Sequence, residues 1–396
     1  MNVVRGSSQP MTWRFRRRAD APLWLNLLIR LLAVLLALVL VGIVLKLNGL
    51  EPFGLGRKAL AQTLGTSYGL QQAAVLATPL IMTGLAVALG MRMRLWNIGA
   101  DGQLYLGAFA ATAVGLFVQG PPIIMIVLML LAGAVGGLLW ILIPALLRAY
   151  WNINEIITTL LLNFVAVLLV SHFAIGPWRD TGAAILSATR RIPYELPTIG
   201  DSYLHLGIFI PLIIAALLAI VVRNTQWGYE VRVIGSSRSA AEFAGMPVLR
   251  HIVIIMLMSG AIAGISGMIG IAGTSHRLSG TISNSYGYMG IIVAALANGS
   301  PPGVVIAGFL LAVLLNAGIV LQTSGLSVSA MLAINGVILI FAAVGEVATR
   351  YQLVRERIEP GLQPGMTAVE PHEVRGADSG QVQIADRILP EKEKTE

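Results

Sequence analysis

Apolar runs dominate the chain, and most of them are long enough to cross a membrane as a helix. A crossing helix needs roughly 20 apolar residues, because each residue rises about 1.5 Å and the hydrocarbon core is about 30 Å thick. Ten segments approach this pattern: 24–46, 68–90, 98–118, 123–147, 156–176, 203–222, 251–273, 286–299, 303–323 and 328–348. The pattern predicts an all-α polytopic membrane protein with about ten transmembrane helices. For the short, glycine- and alanine-rich segment 286–299, a full crossing and a re-entrant loop both stay open.

Polar flanks divide the chain into three parts. A basic N-terminal arm, 1–22, precedes a transmembrane domain over 23–348, and a polar tail of mixed charge follows over 349–396. The first apolar run is too long for a signal-peptide core, so it is expected to be retained. The tail has no hydrophobic face, which predicts disorder. Two polar loops interrupt the domain, one at 177–202 and one at 224–250.

Composition and charge support this topology. The chain is 56% hydrophobic and only 12% charged, whereas soluble domains carry about a quarter charged residues. Of the 27 lysines and arginines, 19 fall in segments that the ten-span map places on one side: 1–23, 91–97, 148–155, 223–250 and 349–396. The positive-inside rule then predicts that both termini are cytoplasmic. Membrane topology therefore explains the pI near 10, and no nucleic-acid partner is expected.

The ten predicted spans fall into two groups of four after the first. Spans two to five and spans seven to ten would enter the membrane from opposite sides. Inverted repeats of this kind are common in transporters, where the pathway lies at the interface of the halves. We therefore hypothesise an inverted repeat of two halves.

Polar residues interrupt the start of the third span. Asn97, Asp101 and Gln103 lie where an apolar helix should begin. A carboxylate inside a span is costly and usually faces a pathway or a partner charge. The alternative is a local ion pair between Asp101 and Arg92 or Arg94.

A second polar stripe opens the fifth span. Asn154 is suited to cap the helix, and Glu155 in its first turn complements the positive end of the helix dipole. Thr158, Thr159 and Asn163 continue the stripe at helical spacing. They would either line a path or join helices by hydrogen bonds. From their polarity, we assign a set of residues to the substrate path: Asn97, Asp101, Gln103, Glu155, Thr159 and Asn163.

The seventh span combines close-packing glycines with a polar outer turn. Glycines between 260 and 273 recur at spacings of three and four, which permits close helix contacts. The turn that follows carries His276, Arg277, Asn284 and Tyr286 near the predicted outer mouth, and Tyr288 ends it. The two tyrosines fit an interfacial aromatic belt.

The loop 224–250 contains the signature of a short helix. Ser239 is followed three residues later by Glu242, a capping-box pattern, and Gly245 supplies a left-handed stop. These signals predict a helix over 240–244. Its alanines would allow close approach to a groove on another protein, although a capped loop helix without a partner explains the same pattern.

Several chemistries are excluded by what the sequence lacks. None of the four lysines follows a glycine, so a phosphate-binding P-loop is impossible and the chain has no ATPase of its own. It has no cysteine, and its five histidines include no HxxxH pair, so neither a metal site nor a bound cofactor is expected. No convincing nucleophile motif is present, which argues against an enzyme.

With these motifs in view, the chain resembles the permease subunits of bacterial ATP-binding-cassette (ABC) importers, in the nucleoside and simple-sugar branch of the branched-chain amino acid and ribose permease superfamily. Four stretches carry the resemblance: LWNIGADGQLYLGA at 95–108, NINEIITTLLLNF at 152–164, GYEVRVIGSSRSAAEFAGMPVLR at 228–250 and MGIIVAALANGSPPGVVIAG at 289–308. The third is similar to the cytoplasmic segment by which such permeases contact their ATPase. By that likeness the ATPase-coupling residues would be Gly228, Arg238, Ser239, Ala240, Ala241, Glu242, Ala244 and Gly245.

The resemblance implies a multi-pass subunit of the bacterial inner membrane. Its expected partners are an ABC ATP-binding subunit that binds ATP, a second homologous permease in a heterodimer, an extracytoplasmic substrate-binding lipoprotein and membrane lipid. The expected function is import of nucleosides, or of related simple sugars, by alternating access. The alternative is a stand-alone ion-coupled secondary transporter in which Asp101 titrates. A scaffold without transport is a distant third.

Overall fold

The computed structural model describes residues 11–17, 22–182, 187–323 and 325–357. In chain order, the helices are α1 (Leu23–Leu47), α2 (Pro52–Leu64), α3 (Ser67–Met91), α4 (Ala100–Phe117), α5 (Pro122–Trp151), α6 (Glu155–Ile175), α7 (Phe209–Asn224), α8 (Gln226–Ser236), α9 (Arg238–Phe243), α10 (Val248–Gly270), α11 (Tyr286–Leu296), α12 (Pro301–Thr323) and α13 (Val328–Arg350). A 3₁₀ turn, Leu206–Ile208, precedes α7, and a π-helical turn, Ile271–Ser275, extends α10. The protein is thus mostly helical, as predicted.

Two short strands form a separate small unit. The strands β1 (Met11–Arg17) and β2 (Tyr351–Arg357) pair in a two-stranded sheet. Apolar residues alternate with polar ones in MTWRFRR, which is the period of a strand. The prediction that the tail is disordered from residue 349 is therefore wrong for Tyr351–Arg357. The rest of the predicted tail, from 358 onward, lies outside the described residues.

Seven helices in the described part of the chain are long and apolar enough to cross a membrane. They are Ser67–Met91, Pro122–Trp151, Glu155–Ile175, Leu206–Asn224, Val248–Ser275, Pro301–Thr323 and Ser329–Thr349. The helices Leu31–Leu47 and Pro52–Leu64 are bent by 117° at the break between them. If this pair counts as one span, it is the eighth. The predicted count of ten crossings is not confirmed.

Each of the ten predicted segments contains a helix, but two of these helices differ from an ordinary span. Helix α4 is not among the seven, since Asp101 and Gln103 in its first turns lower its hydropathy. Helix α11 has only 11 residues and is about 16 Å long at 1.5 Å per residue, well short of the hydrocarbon core. The sequence pattern did not predict α2 or α8.

Contacts between loops define two ends of the bundle. At the first end, the Trp96 N–H donates to Glu155, and Arg92 Nε donates to the Gly299 carbonyl at 3.1 Å. At the second end, the Ile192 N–H donates to the His276 carbonyl at 3.0 Å. Segments 91–97 and 148–155, which the charge pattern assigned to one side, therefore meet at the first end. The loop 177–202, assigned to the opposite side, meets the outer turn at the second end.

In each of the two four-helix groups, the first helix packs chiefly against helices of the other group. Helix α3 opens the first group but packs chiefly against α11 and α12 of the second. Helix α10 opens the second group and packs chiefly against α4 and α5 of the first. This reciprocal packing is what a two-fold repeat predicts; its inversion stays a prediction.

Glycines bring α4, α5 and α10 into backbone contact. The carbonyl of Gly133 lies against Gly264, and a Cβ at Gly264 would come within 2.9 Å of the Gly137 Cα. The facing atoms belong to backbone, which cannot rotate away as a side chain can. The predicted close contacts of the seventh span are therefore present.

We expect Gly264→Ala to destabilise the protein by about 1–3 kcal/mol, because the added methyl group overpacks against backbone. Gly270→Ala in the same helix is the control, since a Cβ there meets no atom within 4 Å. That control should be neutral or slightly stabilising, because alanine favours helix more than glycine does. Thermal unfolding of the purified variants in detergent measures both. Equal unfolding temperatures for Gly264→Ala and the native protein would contradict the packing described here.

Candidate functional site

A cavity of about 370 Å³ lies between α3, α10 and the polar segment that connects α10 to α11. Side chains of α3 and Leu104 give it an apolar wall, and hydroxyl groups of residues 274–281 give it a polar one. Its polar lining also includes Thr78, His205, Ser266 and Asn284. Among the described residues, no Asp, Glu, Lys or Arg lines it. The cavity therefore suits an uncharged solute that has both polar and apolar parts.

Irregular backbone creates the polar wall. Helix α10 ends in the π-helical turn Ile271–Ser275, after which His276 adopts a left-handed conformation with φ 52°. Non-helical chain continues until α11 begins at Tyr286, and Asn284 and Ser285 also have positive φ. Irregular backbone within a membrane domain is tolerated where it is buried in protein or lines a cavity. This segment lines a cavity.

A proline in α3 shapes the opposite wall. Pro79 lies inside the helix and has no N–H, so the carbonyl of Val75 lacks its usual helical donor. Both residues line the cavity. One turn further on, the Thr83 hydroxyl lies 2.8 Å from the Pro79 carbonyl and 2.9 Å from the Tyr286 carbonyl. Thr83 thus joins the proline-containing helix to the start of α11.

Beside the cavity lies a buried polar cluster around Asn97. The Asn97 and Gln103 side-chain amides exchange two hydrogen bonds of 2.8 Å, one in each direction. Asn97 Nδ2 also lies 2.8 Å from Ser259 Oγ, and that hydroxyl donates to the Ala86 carbonyl at 2.6 Å. These bonds join α3, α4 and α10. Because both amides are satisfied within the protein, they act as a fixed bracket between helices.

Asp101 and Asn163 join the broken starts of α4 and α11. Asp101 Oδ1 accepts hydrogen bonds from the Ser283 hydroxyl and, at 3.0 Å, from the Gly287 N–H. Asn163 accepts from the Gly102 N–H at 2.8 Å and donates to the Tyr288 hydroxyl at 3.1 Å. The first-turn N–H groups of a helix have no intrahelical partner, so a carboxylate placed there stabilises the helix start.

Two alternatives from the sequence do not describe this structure: a local ion pair of Asp101 with an arginine, and an interfacial belt formed by the two tyrosines. The partners of Asp101 are Ser283 and Gly287 rather than Arg92 or Arg94. Tyr286 lines the cavity, and Tyr288 bonds to Asn163 inside the bundle. Hydropathy alone could not distinguish these tyrosines from belt residues, because their positions depend on how the non-helical segment 276–285 packs within the bundle.

Glu155 and Thr159 belong to the first end of the bundle. Asn154 caps α6 as predicted, accepting from the Ile156 N–H at 2.9 Å. Glu155 is 5% exposed, accepts from the Trp96 N–H and forms an ion pair of 3.2 Å with Arg148 Nε. Thr159 donates to the Glu155 carbonyl of its own helix at 2.6 Å.

All six residues assigned to the substrate path are buried, and none of them lines the cavity. Five bond to other segments: Asn97, Asp101, Gln103, Glu155 and Asn163. These contacts favour a scaffolding role, in which polar side chains join helices. Contact with substrate stays a prediction for this set.

The segment 224–250 contains two helices instead of the single one predicted. Thr225 caps α8, accepting from the Gly228 N–H at 3.1 Å. A Cβ at Gly228 would meet the carbonyl groups at the end of α7, so glycine permits the sharp turn between the two helices. The sequence pattern does not predict α8, because its apolar residues are few and separated by polar ones.

The short helix α9 begins earlier than predicted. Its cap is Ser237, whose hydroxyl accepts from the Ala240 N–H at 3.3 Å, so the predicted Ser239 cap and the range 240–244 are wrong. Glu242 pairs with Arg238 at 2.8 Å within the helix instead of completing a capping box. The predicted stop is confirmed, since Gly245 has φ 73°.

The exposure of individual residues shows which face of α9 is available to another protein, and it differs from the predicted one. Ala241 is fully buried against the rest of the chain, so its side chain is not available for close approach to another protein. The adjacent Phe243 is 96% exposed. A phenylalanine exposed to this degree, together with its exposed neighbours Ala240 and Ala244, marks the outward face of the helix.

Helix α8 connects this segment to the bundle. Gly235 packs against the Arg92 carbonyl, where any side chain would collide with backbone. His251 Nε2 of α10 lies 2.8 Å from Glu230 Oε2 of α8. The Arg92 side chain donates to the Gly299 carbonyl, so Arg92 connects α8 to the turn between α11 and α12. Helix α11, which begins at the cavity, therefore ends beside the residues that hold α8.

Comparison with known proteins identifies this architecture. The family described as "Branched-chain amino acid transport system / permease component" matches residues 69–343, which is more than half of the chain. The chain belongs to this permease family. It is the membrane subunit of an ABC importer.

Individual relatives agree with this assignment over most of their length. The permease is 35% identical over 351 residues to a glucose ABC transporter permease protein of Haloferax volcanii, covering 85% of this chain and 92% of the relative. It is 34% identical over 292 residues to a guanosine ABC transporter permease protein of Bacillus subtilis, covering 72% and 84%. A nucleoside ABC transporter permease protein of Lactococcus lactis is 28% identical over 332 residues, covering 81% and 91%.

The family assignment does not favour a stand-alone ion-coupled transporter that uses Asp101. Inside the permease, both hydrogen bonds of Asp101 Oδ1 hold the start of α11. The residue therefore has a structural explanation that does not involve proton or sodium coupling.

Sequence reasoning found Asn284 and Tyr286 of the cavity lining but missed three other polar residues there. Thr78, His205 and Ser266 were not singled out, because each is a lone polar residue at the edge of, or within, an apolar segment. The available signal was a glycine close to two of these residues. Gly207 is two residues after His205, and Gly267 follows Ser266 directly. That signal is weak, since 43 glycines are spread along the chain.

We expect Asn97→Ala to destabilise the permease by about 1–3 kcal/mol, because it leaves the buried Gln103 amide without partners. In the fraction that folds, the KM for transport should not change, since Asn97 lies outside the cavity lining. Thermal unfolding and uptake kinetics measure the two effects. Thr158→Ala is the control, because Thr158 is only half-buried and its hydroxyl bonds to carbonyl groups at the start of its own helix, so the expected effect is below about 0.5 kcal/mol. A raised KM with native stability would instead return Asn97 to the substrate path.

Proposed function

We propose that the permease imports nucleosides, with related simple sugars as the second class of substrate. The observation that carries this proposal is the lining of the cavity, which combines hydroxyls, an amide and an imidazole with apolar side chains and, among the described residues, no charged one. Amino acids are zwitterions, and an uncharged cavity offers no partner for their ammonium or carboxylate groups. Nucleosides and sugars are neutral and rich in hydroxyl groups.

The relatives support the same substrate classes. Two of the three described above are permeases for guanosine or nucleosides, and the third is a permease for glucose. Although the family is described by branched-chain amino acid transport, none of these three relatives is named for an amino acid. The combination of relatives and cavity chemistry favours a neutral polar solute.

The permease requires partners to use ATP. The proposed assembly contains an ABC ATP-binding subunit, a second homologous permease and an extracytoplasmic lipoprotein that delivers the substrate, all at the bacterial inner membrane. Both termini and the segment 224–250 face the cytoplasm in this arrangement, in accord with the excess of arginine and lysine. The permease itself performs no catalysis; closure of the ATPase drives its alternating access.

Helix α9 is the proposed contact with the ATPase. Its exposed aromatic residue, Phe243, projects from the end of the bundle where α8 contacts Arg92. Aromatic side chains that fill pockets account for most of the binding energy in many interfaces. The proposal therefore moves the centre of the contact from the predicted alanines to Phe243.

Uptake of labelled guanosine tests the proposed function. We expect vesicles that contain the permease with its partner subunits to accumulate guanosine only when ATP is present on the cytoplasmic side. A proton uncoupler should leave that accumulation intact. Uptake that proceeds without ATP, or stops with the uncoupler, would refute the importer mechanism, and unlabelled glucose added in excess distinguishes the second substrate class.

Replacement of Phe243 tests the proposed coupling contact. We expect Phe243→Ala to weaken assembly with the ATP-binding subunit by about 2–4 kcal/mol, which is typical of an interface hot spot. Uptake should fall accordingly, while membrane insertion is unchanged because the side chain is 96% exposed. Phe53→Ala is the matched control, since Phe53 on α2 is 92% exposed at a different part of the chain. Equal pull-down of the ATPase by both variants would remove Phe243 from the contact.

A further inference from the structure

Two buried polar atoms in the cavity wall have no hydrogen-bond partner. His205 Nδ1 and Ser266 Oγ are both unpaired among the described residues, although their residues are only 2% and 1% exposed. Both residues line the cavity. An unsatisfied buried polar group costs about 1–3 kcal/mol, and proteins leave few of them without a reason. Of the eight such atoms among the described residues, these two are the ones whose residues line the cavity.

The ring of His205 is held in a fixed position. A Cβ at Gly273 would come within 2.8 Å of three ring atoms, and one at Gly207 within 2.6 Å of Nδ1. Glycines therefore make the space that the imidazole occupies between the 3₁₀ turn and the π-helical turn. A side chain fixed in this way loses little additional entropy when it binds a ligand, which favours recognition.

His205 is suited to bind a neutral solute. Burial lowers the pKa of His205 below its ordinary value, and the nearby His276 lowers it further. The neutral imidazole has one nitrogen that donates and one that accepts a hydrogen bond. It can therefore bind a hydroxyl group in either sense without placing a charge in the cavity.

Ser266 lies on the same side of α10 as His205 but nearer to the other end of the cavity. Seven residues separate it from Gly273, against which His205 packs, and this corresponds to about 10 Å along a helix. The lining also includes apolar side chains, with Ile269 of α10 and with Val75 and Leu76 of α3. The cavity therefore offers polar groups about 10 Å apart together with an apolar wall.

We propose that His205 and Ser266 are substrate-binding residues that hydrogen-bond to the two polar ends of one nucleoside. This inference rests on the proposed function. A nucleoside has a ribose with hydroxyl groups at one end, a base edge with donors and acceptors at the other, and flat apolar faces on the base between them. A monosaccharide carries hydroxyl groups around its whole ring, so the apolar wall formed by α3 and Leu104 would leave several of them unpaired.

Ser266→Ala and His205→Ala separate a substrate contact from a structural role. Ser266→Ala removes a polar atom that has no partner, so the substrate-free complex should be as stable as the native one or more stable. The KM for guanosine uptake should nevertheless rise about tenfold, the loss expected for one hydrogen bond of about 1.4 kcal/mol, with little change in maximal rate. Ser266→Thr, which keeps the hydroxyl, should restore most of the native KM.

The measurements are uptake kinetics and thermal unfolding of the purified complex, with and without guanosine. Guanosine should raise the unfolding temperature of the native complex more than equimolar glucose does, and His205→Ala should reduce that shift. His172→Ala is the control, because His172 is exposed on α6 away from the cavity and should behave as native.

An unchanged KM in both alanine variants would overturn the assignment, as would a loss of substrate-free stability in Ser266→Ala. A shift with glucose that equals or exceeds the shift with guanosine would overturn the nucleoside assignment of the cavity. If the native complex neither binds nor transports any nucleoside, the proposed function fails. If it transports guanosine and the variants behave as native, only the roles of His205 and Ser266 fail.

Discussion

Irregular backbone inside a membrane domain must find its hydrogen-bond partners within the protein, and this requirement explains much of the permease. The chain breaks before α4 and again before α11, and the two breaks meet. Asp101 at the start of α4 accepts from the Gly287 N–H and the Ser283 hydroxyl at the start of α11. Asn163 bonds to both regions through Gly102 and Tyr288. The cavity depends on these bonds, because they hold the non-helical segment that forms its polar wall.

Polar residues in the bundle consequently serve two different purposes. Those with short, complete hydrogen bonds, such as Asn97 and Gln103, join helices that share few other polar contacts. His205 and Ser266, by contrast, line the cavity and each has an unpaired polar atom. A membrane protein cannot rely on apolar burial alone to orient its helices, since lipid is as apolar as the helix surfaces. Satisfied polar groups therefore provide the orientation, and the unpaired groups of the cavity wall are the ones we propose for recognition.

The contacts also connect the cavity to the end of the bundle where the ATPase is proposed to bind. Helix α8 rests on the backbone of Arg92, and the Arg92 side chain bonds to Gly299 at the end of α11. Helix α11 begins at Tyr286 in the cavity wall and is only 11 residues long. A short helix with contacts at both ends can move as a rigid unit. Displacement of α8 would therefore reach the cavity without unfolding any span, provided that α11 has two stable positions.

The sequence alone determined the helical class, the location of the ten apolar segments and the absence of an ATPase motif, because these follow from hydropathy and local spacing. It also placed the stop of α9 at Gly245, where local conformation decides the outcome. It could not show that Ala241 faces inward and Phe243 outward, because the orientation of so short a helix depends on what α8 and α10 present to it. Tertiary structure alone decided that the conspicuous polar motifs bond to each other, whereas isolated residues such as His205 and Ser266 line the cavity. The physical reason is that hydrogen-bond partners far apart in the chain are brought together only by folding, so polarity along the sequence does not distinguish a satisfied group from a free one.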